Sequence, residues 1–404
     1  MKNMTSELAI NGGNPVRQTF LPFGVPTLGA EESAEVLDTM QSGWIGTGPK
    51  TARFEQMLAD YAGAKYAVTV NSCTAGLFLS LLVSGIGPGD EVITAPLTFG
   101  ATANVVIHCG ATPVFADIDP VTLNIDPVQI ERAITPRTKA LLPIHYGGLP
   151  CDMTAIEAIA KKHNLIVVED AAHAIGARYQ GKMIGGMGHL TNYSFYPNKN
   201  MTTGEGGAIM VNDDELCEKL QIYRLHGLSR HAWQRFASRR LMLSDVMVPG
   251  YKYNLTDLAS SIGIHQLKKL ESFLDTRERY ARIFDGAFAG REDVHTQPRP
   301  TNLAQDRHAL HLYVLMLDLA QFKASRNEIL DAILAENVGA ALHYRALHMH
   351  PYYTNTFGYQ PADFPVAAEV GESIFSLPLS PKMTEQDVQD VIVAVNKVLD
   401  AFRR

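Results

Sequence analysis

Residues 67–95 read AVTVNSCTAGLFLSLLVSGIGPGDEVITA, and this stretch decides the fold class. Ala67–Val70 is a short apolar run with β-branched residues, the composition of a strand. Thr74–Ser84 is apolar nearly all round, which predicts a buried helix. The turn Gly85-Ile86-Gly87-Pro88-Gly89 then leads into a second strand at Glu91–Ala95. Strand, helix, turn, strand is a βαβ unit, the crossover that parallel strands require.

The same rhythm continues outward. A helix is expected at Ala101–Cys109, a strand at Val114–Asp117 after Gly-Ala-Thr-Pro, and strands at Ala140–Ile144 and Leu165–Glu169 flanking the amphipathic helix Met153–His163. The fold class is therefore α/β, with a mostly parallel sheet covered by helices on both faces. Beyond Asn254 the pattern is helical over Leu255–Phe284. A strand at Leu312–Leu317 and helices at Arg326–Asn337 and Glu385–Phe402 then suit a small α+β domain. The expected organisation is an N-terminal extension at 1–20, a large domain at 21–275 and a small C-terminal domain at 276–404.

The chain has 404 residues, which at roughly 100–200 residues per domain suits this division. Lys plus Arg is 35 against Asp plus Glu at 42, a net charge of −7. A general polyanion binder needs clustered basic excess, so nucleic acid is not an expected partner. The four cysteines (Cys73, Cys109, Cys151, Cys217) form no C-x-x-C, which argues against a disulfide framework or a structural metal. MKNMTSELAINGG lacks the apolar core of a signal peptide. No apolar run approaches the roughly 18 residues of a membrane span. The expected setting is the cytoplasm.

Three segments of the large domain carry chemistry. In Leu165–His173, LIVVEDAAH, an apolar strand ends in Glu169 and Asp170, and open α/β sheets present ligand groups at strand carboxyl ends. An acid there can be buried and aimed at a cation; Asp before Ala-Ala-His reads equally as a helix N-cap. Ser194–Gly207, SFYPNKNMTTGEGG, sets Lys199 off any regular helix face. A buried lysine has a depressed pKa and can form a Schiff base with a carbonyl cofactor, whereas a lone loop lysine is ordinarily a surface residue. Asn71–Gly76, NSCTAG, puts small residues at a helix start, where backbone N–H groups bind anions; alone it is also an ordinary strand-to-helix turn. Gly85–Gly89 precedes a strand and lacks G-x-G-x-x-G spacing, so no dinucleotide fingerprint is present.

Together the three segments supply an anion site, a strand-end carboxylate and a lysine. Pyridoxal 5′-phosphate (PLP) needs this set: the helix start for its phosphate, the acid for its ring nitrogen and the amine for its aldehyde.

At this point the chain resembles the DegT/DnrJ/EryC1/StrS sugar aminotransferases, PLP enzymes of fold type I, from about Leu21 to Ala401. The matching segments are SGWIGTGPK (42–50), NSCTAG, GDEVITAPLTF (89–99), GATPVFADID (110–119), PIHYGG (143–148), VVEDAAHAIGA (167–177), SFYPNKNMTTGEGGAI (194–209), GYKYNLTD (250–257) and LHYRALHMHPYY (342–353). Within the family the similarity points to enzymes that aminate UDP-4-keto sugars, such as the 4-amino-4-deoxy-L-arabinose aminotransferase. The resemblance implies a seven-stranded-type sheet and a small second domain.

It also implies roles. Lys199 forms the internal aldimine and shuttles protons, Asp170 pairs with the ring nitrogen, and His173 lies beside the phenolic oxygen. Phe99 stacks on the ring. Cys73, Thr74 and Ser194 hold the phosphate, which a partner subunit completes through Lys252 or Asn254, so a homodimer is implied. Trp44, Thr47 and His343 fall in family segments that line the sugar side, while Trp44 reads equally as a core anchor and His343 as a packed core histidine. Apart from the resemblance, His226 and Arg230 (in HGLSRH) form a basic cluster that suits a nucleotide diphosphate or reads as a solvated loop. The implied reaction is ping-pong transfer of nitrogen from L-glutamate to a nucleotide-linked keto sugar. Transfer to a cyclitol ketone, an aminohydroxybenzoate-type synthase and a non-catalytic PLP-binding regulator are the alternatives. The dehydratase branch, which replaces the lysine with histidine, is opposed by Lys199.

Overall fold

The computed structural model describes residues 7–229 and 245–404; Arg230 lies outside them. The central sheet has seven strands: β1 (Tyr66–Val70), β2 (Glu91–Thr94), β3 (Thr112–Phe115), β4 (Thr138–Leu142), β5 (Ile166–Asp170), β8 (Leu190–Ser194) and β9 (Gly207–Val211). Their spatial order is β1-β9-β8-β5-β4-β2-β3. From β3 to β8 every pairing is parallel, and only β9 runs antiparallel to its neighbours β8 and β1. A hairpin of β6 (Arg178–Tyr179) and β7 (Lys182–Met183) stands apart. The expected α/β class is what the chain adopts.

Helices α1 (Ala30–Ser42), α2 (Pro49–Ala62), α3 (Cys73–Val83), α4 (Gly100–His108), α5 (Pro127–Ala133), α6 (Met153–His163) and α7 (Asp214–Tyr223) accompany this sheet. The apolar α3 is buried along nearly its whole length and joins β1, β5, β8 and β9 in one core. Helix α6 matches its expected bounds, because Asp152 caps one end and Asn164, in the left-handed region, closes the other. Helix α3 begins one residue earlier than expected, since the Ser72 side chain accepts from the Ala75 N–H and so caps at position 72. Strand β5 runs one residue further than expected and takes in Asp170, which pairs with Asn192 on β8.

A helix of 32 residues, Asp257–Phe288, follows. Its first half packs Ile264, Leu267, Leu270 and Leu274 against α2 and the loop bearing Lys199. Its second half packs Tyr280, Phe284 and Phe288 into another core. That core is built on an antiparallel sheet of β10 (Val294–Thr296), β11 (Tyr313–Leu317) and β12 (Ile374–Leu377), with helices Arg326–Ala335 and Glu385–Phe402. Among the described residues no helix is long and apolar enough to cross a membrane.

The start of the long helix is clamped to α2. The buried Asp257 carboxylate accepts from the Gly48, Thr51 and Lys50 backbone N–H groups at 2.8, 2.8 and 3.1 Å, and from the Thr51 hydroxyl at 2.6 Å. These are the orphan donors of the α2 N-terminus, and one carboxylate satisfies them all. Asp257→Ala leaves them buried without an acceptor, and urea unfolding should show a loss of about 2–3 kcal/mol. A loss below about 0.5 kcal/mol, the scale of an ordinary surface change, would contradict this account.

Candidate active site

A cavity of about 560 Å³ opens at the carboxyl end of β5. Ser72, Cys73 and Thr74 line it from the start of α3, Phe99 and Thr102 from α4 and its N-cap, and Asp170 and His173 from the end of β5. Ser194 and Lys199 complete it from the β8–β9 connection, with His343 and Tyr344 opposite. The three segments singled out in the sequence therefore converge on one space. So do Phe99 and His343.

Asp170 is the last residue of its strand, and no helix starts after it. Its Oδ2 accepts from the Thr102 hydroxyl at 2.8 Å and its Oδ1 from the Ala172 N–H at 3.1 Å. The N-cap reading is thus replaced by a turn, in which the carboxylate is held from both sides. Burial pushes its pKa up, while Thr102, Ala172 and the Lys199 charge pull it back. Next to it, Glu169 is fully buried and accepts from Thr191 at 2.7 Å. His145 Nδ1 accepts from the Cys151 N–H, so its Nε2–H donates to Glu169 at 2.8 Å. This pair fixes the strand end from which Asp170 emerges.

Lys199 sits in a turn, its backbone N–H donating to the Tyr196 carbonyl. Its Nζ lies 3.3 Å from His311 Nε2. Desolvation pushes the amine down to about 8, against the pull of Asp170. His311 is buried, and burial with the Lys199 charge drives its pKa far down, so the ring is neutral. Its ring lies tilted against that of His173, with centroids 4.4 Å apart. His173 Nδ1 accepts from the Gly147 N–H at 3.3 Å, which assigns the ring proton to Nε2 and makes it the donor to Tyr344 Oη at 3.1 Å.

His343 is pushed down to about 3 by burial and by Lys199, and its Nδ1 meets the Ser376 hydroxyl at 3.0 Å. Phe99 is 64 % exposed at the mouth, its ring 6.0 Å from Tyr344. Gly207 explains one glycine of the TGEGG run. A Cβ there would stand 2.6 Å from the Cys73 backbone N, so only glycine lets β9 lie against the start of α3.

Four expected residues lie elsewhere. Thr47 donates to the Leu255 carbonyl, and the Asn254 amide donates to Thr47 Oγ1 at 2.5 Å. Lys252 Nζ donates to Asn254 Oδ1 at 2.6 Å. Trp44, 38 % exposed, donates from Nε1 to the Thr47 carbonyl at 3.0 Å. These residues form a single cluster that does not line the cavity of their own chain. His226 sits in the left-handed region, its N–H bonded to the Tyr251 carbonyl.

Sequence reading passed over Thr102, His311 and Tyr344. Thr98, just before the α4 N-cap, and Thr102, in its first turn, are both buried with their hydroxyls bonded at 2.8 Å; that i, i+4 spacing was the available signal. His308 and His311, in RHALHLY before β11, offered a similar one. Tyr344 lay beside the chosen His343.

The donor set fits PLP. A buried carboxylate, a desolvated amine and the free N–H groups of a helix start face one cavity of suitable size. Among the described residues no group of His, Cys, Asp or Glu could hold a metal.

In the cofactor-free protein, the lowered pKa leaves Lys199 mostly neutral above pH 8 and protonated below it. Arylation of Lys199 followed by peptide mass spectrometry should rise through a midpoint near that pH. A midpoint near 10.4, the ordinary lysine value, would contradict the desolvated geometry.

The sequence model of the DegT/DnrJ/EryC1/StrS aminotransferase family matches residues 26–396. The chain is 50 % identical over 384 residues to the spore coat polysaccharide biosynthesis protein SpsC of Bacillus subtilis, covering 95 % of this chain and 98 % of the relative. Its structure superposes on the PLP form of Spr1654 from Streptococcus pneumoniae, assigned as a sugar aminotransferase, with a TM-score of 0.87 and 32 % identity over 95 % of this chain and 99 % of that one. Helicobacter pylori PseC, an aminotransferase involved in pseudoaminic acid biosynthesis, gives a TM-score of 0.87 at 29 % identity, over 95 % and 100 % of the two chains.

Proposed function

The chain belongs to the DegT/DnrJ/EryC1/StrS aminotransferase family, and on that premise we propose that it moves an amino group from L-glutamate to the keto group of a nucleotide-linked sugar, with a UDP-4-keto sugar as acceptor. It is a PLP-dependent sugar aminotransferase. The observation that carries the reading is the buried pair of Asp170 and Lys199 facing one cavity. We assign its work to the cytoplasm and to amino-sugar formation for cell-surface polysaccharide.

Bound PLP supplies an electron-withdrawing ring that stabilises negative charge on the reacting carbon. The chain's residues do the rest. Asp170, fixed by Thr102 and Ala172, holds the proton on the ring nitrogen. The start of α3 and the Thr74 and Ser194 hydroxyls would hold the phosphate, and Phe99 would cover the ring. Lys199 Nζ is the mobile base: at neutral pH a pKa of about 8 lets it both take and return a proton. His311 Nε2 bonds this amine and keeps it aimed at the cavity. His173 is held neutral and oriented by Gly147 and Tyr344. His343 borders the side where the sugar enters.

The functional unit in this proposal is a homodimer. Lys252, Asn254, Thr47 and Trp44 form a cluster that does not line their own cavity, and Leu37, Met40 and Ile45, close to Trp44 in sequence, are exposed. That arrangement suits a cluster that serves a partner's phosphate and sugar sites. The division at residue 275 falls inside the long helix, which joins the two domains.

With added PLP, wild-type protein should show a visible cofactor band that Lys199→Ala lacks. Lys199→Ala should also lose about 10²–10⁴-fold in turnover. Equal bands in the two proteins would refute the assignment. L-Glutamate should bleach the wild-type band, and a UDP-4-keto sugar should restore it. Restoration by GDP- or dTDP-linked sugars alone would replace the proposed acceptor. Light scattering should give twice the chain mass, and Lys252→Ala with Asn254→Ala should weaken PLP retention; a monomer that retains PLP would overturn the shared site.

A further inference from the structure

Lys199 stands between two cavities. One is the large cavity already described. The other, of about 10 Å³, lies behind the lysine and is lined by Thr27, Asn198, Asn200, Gln266 and Arg277 among others. Asn198 and Lys199 are the residues common to both.

Four buried atoms of the small cavity's lining residues find no hydrogen-bond partner among the described residues: Thr27 Oγ1, Asn198 Oδ1, Asn200 Oδ1 and Arg277 Nε. Buried polar atoms are as a rule bonded, so four orphans on residues that line one space call for an occupant. Their chemistry is specific. Arg277 Nε–H is a donor and the Thr27 hydroxyl can donate, while the two amide oxygens accept. The Asn200 amide is oriented by its Nδ2, which donates to the Ala309 carbonyl at 2.7 Å, so its oxygen is the end left over.

We propose that this cavity is a binding site for one ordered water, which accepts from Arg277 and Thr27 and donates to Asn198 and Asn200. Two donors and two acceptors complete the bonding of a water molecule. An anion would face two amide oxygens, and a cation would face the guanidinium. The volume agrees, since a water needs roughly 10–15 Å³ and two to four polar partners.

The water serves as a positioning element. It ties both neighbours of Lys199 to Arg277, whose Nη1 donates to the carbonyls of Leu310, His311 and Leu379 at 3.1, 3.4 and 2.7 Å. The loop carrying the amine and the segment carrying its partner His311 are thereby set against each other. The inference concerns the chain without cofactor and does not depend on the acceptor sugar.

A crystal structure of the wild-type protein at about 1.8 Å should show one peak within hydrogen-bond distance of all four atoms. A dry cavity, side chains paired with one another, or an anomalous peak after bromide or rubidium soaks would overturn the assignment. Thr27→Val keeps the shape but removes one donor, and Asn198→Leu removes one acceptor. In cofactor-free protein, each should speed hydrogen–deuterium exchange of amides in 196–203 by about tenfold, with strands β4 and β5 unchanged. Unchanged exchange at 196–203 with the peak lost would leave a water with no positioning role and defeat that part of the proposal.

Discussion

A carboxylate and an amine kept out of bulk water in one cavity set the terms for the rest of this molecule. Desolvation disfavours the charged form of each, and each charge favours the other. Neither group could be held there by a surface loop. Asp170 ends a strand paired on both sides, and its backbone carbonyl accepts from His145 N–H while its own N–H reaches the Pro143 carbonyl. Lys199 stands on a turn braced by Asn200 and by the neighbouring long helix. The parallel sheet is thus the frame on which two unfavourable burials become one functional arrangement.

The neutral histidines around the pair extend the same logic. His173, His311 and His343 are all pushed far below their usual range by burial and by the lysine charge. A cluster of imidazolium ions would repel the amine and drive its pKa lower still. Neutral rings instead offer acceptors and donors, and that of His173 takes its tautomer from the Gly147 N–H on its outer side. The single cation of the cluster is the one that moves protons.

Much of this was legible in the residues. The βαβ pattern from Ala67 onward gave the fold class, and NSCTAG, EDAAH and PNKN marked the three arms of the site. What escaped notice has physical reasons. Strand β8, LTNYS, carries no apolar run, yet all five residues are buried, because Asn192 and Thr191 bond within the sheet interior. Thr102, His311 and Tyr344 reach the site only through tertiary packing, from segments whose local pattern says helix, loop or core. The cluster of Trp44, Thr47, Lys252 and Asn254 depends on a contact between parts of the chain more than 200 residues apart, and spacing cannot reveal such a meeting.

The long helix has a mechanical consequence. Its 32 residues span about 48 Å without a break, from the Asp257 clamp to the aromatic packing of Phe284 and Phe288. A rod anchored at both ends behaves as a lever, not a hinge. The unbroken helix therefore ties the packing beside the seven-stranded sheet to the core of the three-stranded one.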